Sequence, residues 1–312
     1  MPLRFGIESL EFQSTADQII IDGVPDFSRF NIENGIRSAV LEGYSILELG
    51  MDAKYMIPGA VTPESFNRLL ELQTELGHSY TVHLPFWSVE LATFNEPVRE
   101  GSIKSIVDCI KSAEVLQPET YVLHATGALA AEFSALRFSN RLVYLICTLL
   151  AGFSMKSIED IIAQTEIDPR RLAIENCVFP FAIMRDMIDD LGTSVCFDTA
   201  HLITRMSGTE SVMEFYRAHK DRIIEIHLQD GTYSEYRGVV SREDHLALGR
   251  GIMGDDVLRE FLMELVKDKF AGPIIFELSQ TDANESLAKI RDVVPEVLGK
   301  SRKPKHVGPH KD

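Results

Sequence analysis

The sequence lacks the features that mark several large protein classes. Its four cysteines, Cys109, Cys147, Cys177 and Cys196, form no C-x-x-C pair, which argues against a disulfide framework or a cysteine-built zinc site. Three of them sit in apolar runs, where a reduced, buried thiol is the expected state, and a reducing, cytoplasmic compartment is the matching expectation. The N-terminus, MPLRFGIESLEF, has no basic segment followed by an apolar run of signal-peptide length. The longest apolar stretch, LVYLICTLLAGF at 142–153, is too short to span a bilayer, so no membrane association is expected. Positive charge is scarce as well: 31 Lys and Arg against 47 Asp and Glu leave a formal net charge of −16. Binders of nucleic acid present clustered Lys and Arg to phosphates, so this balance counts against nucleic acid and favours a small-molecule substrate. The basic cluster at residues 299–312 reads as a flexible tail beyond a single domain of residues 1–298. Oligomeric state leaves no mark in the sequence.

What is present is an alternation of short β-rich runs with longer amphipathic segments. The strand candidates are 3–10, 44–51, 80–86, 120–127, 171–176, 194–201, 222–230 and 273–279. Such near-continuous apolar runs read as parallel strands buried on both faces. Helical spacing fills the gaps, at 63–77, 98–116, 154–166 and 255–268. Eight strands alternating with helices predict an α/β fold, the closed (β/α)8 TIM barrel. An open doubly wound sheet would carry a glycine-rich phosphate loop after its first strand, and GIESLEF has none. The loops at 11–32 and 231–244 are long for barrel connections, a length that often goes with covering substrate.

Polar residues sit where a buried strand should not have them. His83, His124, Glu175, Asp198 with His201, His227 with Asp230, and Glu277 each lie at or near a strand C-terminus. In a barrel these ends converge on one face, where the active site is built. A buried, unpaired carboxylate is costly, and one strand-end histidine alone is ordinary structure. Six strands with the same feature at the same end instead predict a divalent cation held by carboxylates and imidazoles, with Zn, Mn or Co as candidates. Glu243 and His245 would overhang the same mouth. Glu48, at the end of the second strand, faces it as a candidate substrate contact, as do Phe86, Trp87 and Asp230; Glu8 is a weaker one. His78 and His219 precede strands and are expected on the surface, away from the site.

The motifs VHLPFW (82–87), LHATG (123–127), AIEN (173–176), FDTAH (197–201), IHLQD (226–230), EDHLALGRG (243–251) and FEL (276–278) together resemble the xylose isomerase-like TIM barrel superfamily. That group includes sugar phosphate isomerases and epimerases and the endonuclease IV type of apurinic/apyrimidinic endonuclease (AP endonuclease family 2). The resemblance runs from the third strand to the eighth.

It implies two alternatives. An isomerase or epimerase would hold one ion through Glu175, Asp198, His227 and Glu277, with Glu175 and Glu277 as the acid–base pair and His201 and His124 on substrate oxygens. A zinc phosphodiesterase would hold two or three ions, adding His83, His124, His201, Glu243 and His245, and would act on a small phosphodiester or on abasic DNA. The resemblance departs from the endonuclease pattern at Glu243, which replaces a shorter carboxylate, and at Arg250, which stands where that enzyme has an acid. The isomerase or epimerase is the leading expectation, and Glu175, Glu277 and His201 are its catalytic candidates.

Overall fold

The computed structural model describes residues 2–8, 18–57, 59–135 and 140–299. Eight strands, β1 (Arg4–Glu8), β2 (Ile46–Gly50), β3 (Ser79–His83), β4 (Tyr121–Leu123), β5 (Leu172–Glu175), β6 (Ser194–Asp198), β7 (Ile223–His227) and β8 (Pro273–Phe276), close into a barrel in the order β1-β8-β7-β6-β5-β4-β3-β2. Every neighbouring pair is parallel. This is the (β/α)8 barrel the strand pattern predicts. Eight longer helices ring it: α1 (Ile32–Glu42), α2 (Pro63–Leu76), α3 (Glu96–Ala113), α4 (Asn140–Thr165), α5 (Phe181–Leu191), α6 (Val212–His219), α7 (Asp255–Lys267) and α8 (Gln280–Val293). The tail expected from residue 299 lies, apart from Gly299, outside the described residues, as do residues 11–17 of the 11–32 loop.

Strand alternation sorts each strand's residues between two cores. Leu47, Leu49, Tyr80, Val82, Tyr121 and Phe197 point outward and join the helices in the main core. Val122, Ala173 and Cys196 point inward as a separate small cluster in the barrel. Two residues on from each, on the same face and at the open end, stand His124, Glu175 and Asp198. The same step of two carries Thr81 to His83 and Glu225 to His227. Inward-facing polar groups at the strand C-termini are therefore a consequence of the register that fills the barrel lower down. Cys109, Cys147 and Cys196 are buried and form no disulfide, as expected, and the same holds for Cys177.

Two regions differ from the sequence-based expectation. The segment at 154–166 is the second half of one helix that begins at Asn140. Ser154 and Ser157 do not start a helix; their buried hydroxyls donate to the carbonyls of Ala125 and Leu91 and fasten α4 to the barrel. Continuous over this length, Arg141–Thr165 is long and apolar enough to cross a membrane by length and composition alone. It packs against α3, α5 and the short helix Ala128–Ser134. The segment at 231–244 is a β-hairpin, Asp230–Tyr236 paired with Val239–Leu246.

The two histidines expected on the surface are also placed differently. His78 is 6% exposed; its ring meets Tyr80 edge-on at 4.6 Å and neither ring nitrogen has a hydrogen bond. Its position just before β3 puts it under the strand's outward face. His219 is half-buried against Phe181 and Phe215, with centroids 4.9 and 4.7 Å away. Burial lowers His78 from the ordinary 6.5 to about 4. Between those values the unfolded chain binds a proton that the folded chain refuses, so stability is lost as pH falls through this window. His78→Leu is therefore expected to flatten the Tm-against-pH curve between pH 6.5 and 4. Melts of both proteins across that range check it, and parallel curves would refute it.

Candidate metal centre

The site is the C-terminal mouth of the barrel. Glu175 is its centre. Its Oε2 lies 2.7 Å from His124 Nε2 and 3.3 Å from His83 Nε2, while Oε1 lies 3.1 Å from His201 Nδ1 and 3.7 Å from His227 Nδ1. Glu277 Oε2 is 3.0 Å from His227 Nδ1 and 3.2 Å from His245 Nε2. Asp198 and His227 are register partners on adjacent strands. Glu175, Asp198, His227 and Glu277 bring four donor atoms within 4.8 Å of one another.

Several of these donors have fixed orientations. His83 Nδ1 lies 3.0 Å from the Leu84 carbonyl, which only accepts, so Nδ1 keeps a proton and Nε2 is the nitrogen left for the mouth. His227 Nε2 lies 3.3 Å from Glu48 Oε1, which leaves Nδ1 for the cluster. Gln229 donates through Nε2 to Asp198 Oδ2 at 2.6 Å and to Glu277 Oε2 at 3.1 Å, and its Oε1 accepts from the Glu277 amide. Asn176 holds the Asp198 backbone by accepting from its N–H and donating to its carbonyl.

The electrostatics belong to a concentrated anionic site. Burial alone would raise Glu175 and Glu277, yet His124 beside the first and His227 beside the second hold both carboxyls well below the usual range. Burial opposes charging His83 and His201, but the Glu175 carboxylate at His83, and Asp198 with Glu175 at His201, raise both to about 9. Burial raises Asp198. Burial also opposes ionising the Cys177 thiol, while the adjacent His124 draws it below its ordinary value. Without a cation, the cluster balances its carboxylates with protons on imidazoles.

Of the expected site residues, the structure brings together Glu175, Asp198, His227, Glu277, His83, His124, His201 and His245. Glu243 does not join them. It is exposed on the hairpin, and Asp244 turns inward instead, its Oδ2 3.9 Å from His201 Nε2 and its Oδ1 3.5 Å from His245 Nδ1. The cause is local: His245 has φ 53°, and this left-handed residue breaks the two-residue alternation that would have paired Glu243 with it.

Asp230 is not a substrate contact. It is fully buried, accepting from the amides of Gly231, Gly249, Gly251 and Met253. A Cβ on Gly251 would come within 2.3 Å of Asp230 Oδ1, so the glycines of LGRG serve this clasp. Glu48, also fully buried, contacts His227 and accepts from Thr81 at 3.2 Å, beneath the mouth. Glu8, Phe86 and Trp87 do line the cavity. Phe86 lies across both His83 and His124, with centroids 5.1 and 4.5 Å away.

Sequence reading missed Gln229, Asp244, Asp52 and Glu225. Asp52 accepts from the amides of Phe86 and Trp87 at 3.0 and 3.3 Å and so holds the loop after β3. Glu225 was legible as an acid two residues before His227 on the inward face. Gln229, a neutral amide, gave no signal.

A cavity of about 750 Å³ opens above the cluster. Carboxylate and imidazole donors in one buried group are what Zn, Mn or Co take. Glu175 Oε1, His201 Nδ1 and His227 Nδ1 make no well-directed hydrogen bond, although each lies close to oppositely charged atoms. Such lone pairs, aimed at a common space, fit a cation.

Comparison with known proteins agrees with this architecture. The family model for the xylose isomerase-like TIM barrel matches residues 36–293. No curated protein sequence matches the chain. Among solved structures, a D-tagatose 3-epimerase-like protein superposes with TM-score 0.66 at 19% identity, over 95% of this chain and 98% of that one. Endonuclease IV from Thermus thermophilus superposes with TM-score 0.63 at 18% identity, over 94% and 99%. A 3-keto-D-glucoside 4-epimerase from E. coli gives 0.61 at 14% identity, over 93% and 99%. At these identities the likeness is one of fold. By fold and by family match, the chain belongs to the xylose isomerase-like TIM barrel family.

Proposed function

We propose that this protein is a metal-dependent isomerase or epimerase of a small hydroxy-carbonyl substrate of the sugar type. The observation that carries the reading is the buried group Glu175, Asp198, His227 and Glu277, with donor atoms within 4.8 Å of one another at the floor of an open cavity. Bound there, a divalent cation would supply Lewis acidity toward the carbonyl and hydroxyl oxygens of the substrate. Glu175 ends β5 and Glu277 directly follows β8, on separate parts of the barrel wall, and so they reach the reacting carbon from different sides. One takes the proton from that carbon and the other returns it. Gln229 holds Glu277 in place, and His124 and His201 donate to substrate oxygens. Among the described residues no Lys or Arg lines the cavity, which favours an uncharged substrate over a sugar phosphate. The epimerases among the structural relatives support the reading by analogy.

A second reading has its own observation. His83, His124 and Glu175 form another close group, as do Asp198, His201 and His245, and both share a member with the first. Three linked groups suit a multinuclear zinc phosphodiesterase, in which Glu175 would bridge two ions.

Two measurements separate the readings. Purified protein is analysed for bound metals, and its action on a panel of ketopentoses and ketohexoses in D2O is followed by NMR. One ion per chain, with solvent deuterium entering the substrate carbon in the native protein and not in Glu277→Gln, is the expected result. Three zincs and no exchange with any ketose would overturn the isomerase in favour of the phosphodiesterase.

A further inference from the structure

The cavity has two chemically different sides. Its floor is the carboxylate and imidazole cluster. Away from that cluster its wall is mainly apolar, with Ile19, Ile20 and Phe27 on the segment before α1, Met56 and Ile57 after β2, and Trp87 after β3, beside the carboxylates of Glu8 and Asp52. Ile20, Phe27, Met56 and Trp87 are 48%, 41%, 46% and 64% exposed. Single exposed apolar side chains are ordinary, but four large ones around one opening form a patch of the kind that marks a binding surface. They come from three separate connections, so no one element's packing accounts for their meeting. A volume of about 750 Å³ lies in the upper part of the roughly 300–1,000 Å³ range of small-molecule sites.

We infer that this wall is a subsite for an apolar group, an aromatic ring or short alkyl chain, carried by the substrate beside its metal-chelating hydroxy-carbonyl head. The substrate class is then an apolar-substituted hydroxy-carbonyl compound, and neither a bare sugar nor a sugar phosphate. This rests on the metal-centre reading above. The wall is continuous with the chelating floor in one cavity, which makes the occupant the far end of the same molecule. A polar sugar would leave these side chains against water, whereas a ring or chain would remove them from it. Hydroxyl-rich ligands would also find few partners on this side, since these six wall residues offer no charged or amide side chain.

Hydroxamates, which chelate divalent metals through two adjacent oxygens, supply the probes. Acetohydroxamic and benzohydroxamic acid are titrated by calorimetry into the full-length protein reconstituted with Mn or Zn. The ring-bearing probe is expected to bind about tenfold or more tightly. Phe27→Ser and Met56→Ser replace largely exposed side chains outside the metal cluster. They are expected to bring the ratio of the two affinities toward one while leaving acetohydroxamate binding unchanged. Equal binding of the two probes to the native protein would overturn the subsite and leave the metal centre standing. Serine variants that change the oligomeric mass in light scattering but keep the affinity ratio would also overturn it, assigning the wall to a second copy of the chain. Binding of neither probe would overturn the metal reading itself, and the subsite with it.

Discussion

Glutamine in place of Glu175 is expected to remove turnover by at least about 10⁴-fold, the upper end of what one positioned acid–base group contributes, and to remove most of the bound metal. Glu175 is 1% exposed and faces four imidazoles, those of His83, His124, His201 and His227. Glutamine has the same shape but replaces one oxygen with an N–H donor and cancels the charge. Whichever way the amide turns, a donor then faces imidazole nitrogens that were facing an acceptor, and the cluster loses its shared anion. Glu175→Asp separates charge from reach: it keeps the anion but withdraws it by one methylene, so metal binding should fall less than activity. Metal content after gel filtration and turnover on the substrate found by exchange measure both. Native-like metal content with native turnover in Glu175→Gln would remove Glu175 from the centre.

Stripping the metal is expected to lower the melting temperature by about 5–10 °C near neutral pH and to make stability fall as pH rises above about 6.5. The size follows from binding: a ligand present at about 100 times its Kd stabilises by about 2.7 kcal/mol, and each kcal/mol shifts a domain of this size by roughly 2–4 °C. The pH dependence follows from His83 and His201. In the metal-free protein both are raised to about 9 from the ordinary 6.5. Each therefore contributes stability that is complete below about 6.5 and lost as pH rises through 9. A cation must displace those same protons, so loaded protein has none left to lose at these rings and keeps its stability over the window in which stripped protein loses it. Melting curves at pH 6.5, 7.5, 8.5 and 9.5, with chelator or with excess Mn, test this. Curves that run parallel would show that metal and protons do not compete at these histidines.

The barrel was legible because its strands are short β-rich runs buried on both faces, a pattern that amphipathic helices cannot imitate at that length. Most of the centre was legible for the opposite reason: histidines and acids break those runs always at the same end. The misreadings have particular causes. Glu243 and His245 have the spacing of a shared strand face, and only the left-handed backbone at His245 gives the inward position to Asp244. Asp230 and His227 share one motif, but the amides that claim Asp230 belong to a turn 19–23 residues further on, and sequence distance conceals it. Glu48 reads as a strand-end residue like the ligands, yet it sits in the middle of β2, opposite the ring nitrogen of His227 that faces away from the cluster. His78 became a core residue because its neighbour Tyr80 turns outward beneath α2, where the tyrosine hydroxyl donates to the Leu69 carbonyl. Nothing in an isolated histidine before a strand announces that.

The Asp230 clasp bears on how such a site can change over time. Four amides close the base of the hairpin by binding Asp230, its first residue, three of them from the turn that follows its second strand, so the positions of Asp244 and His245 are set at its root. Its far end turns through Arg237 and Gly238, with φ 52° and 79°, well away from that anchor. Residues added or lost at this tip would change how far the hairpin reaches without disturbing the chemistry at its root. In evolutionary terms the hairpin is a module whose attachment and whose reach are inherited separately, and the tip is where new selectivity would be acquired first.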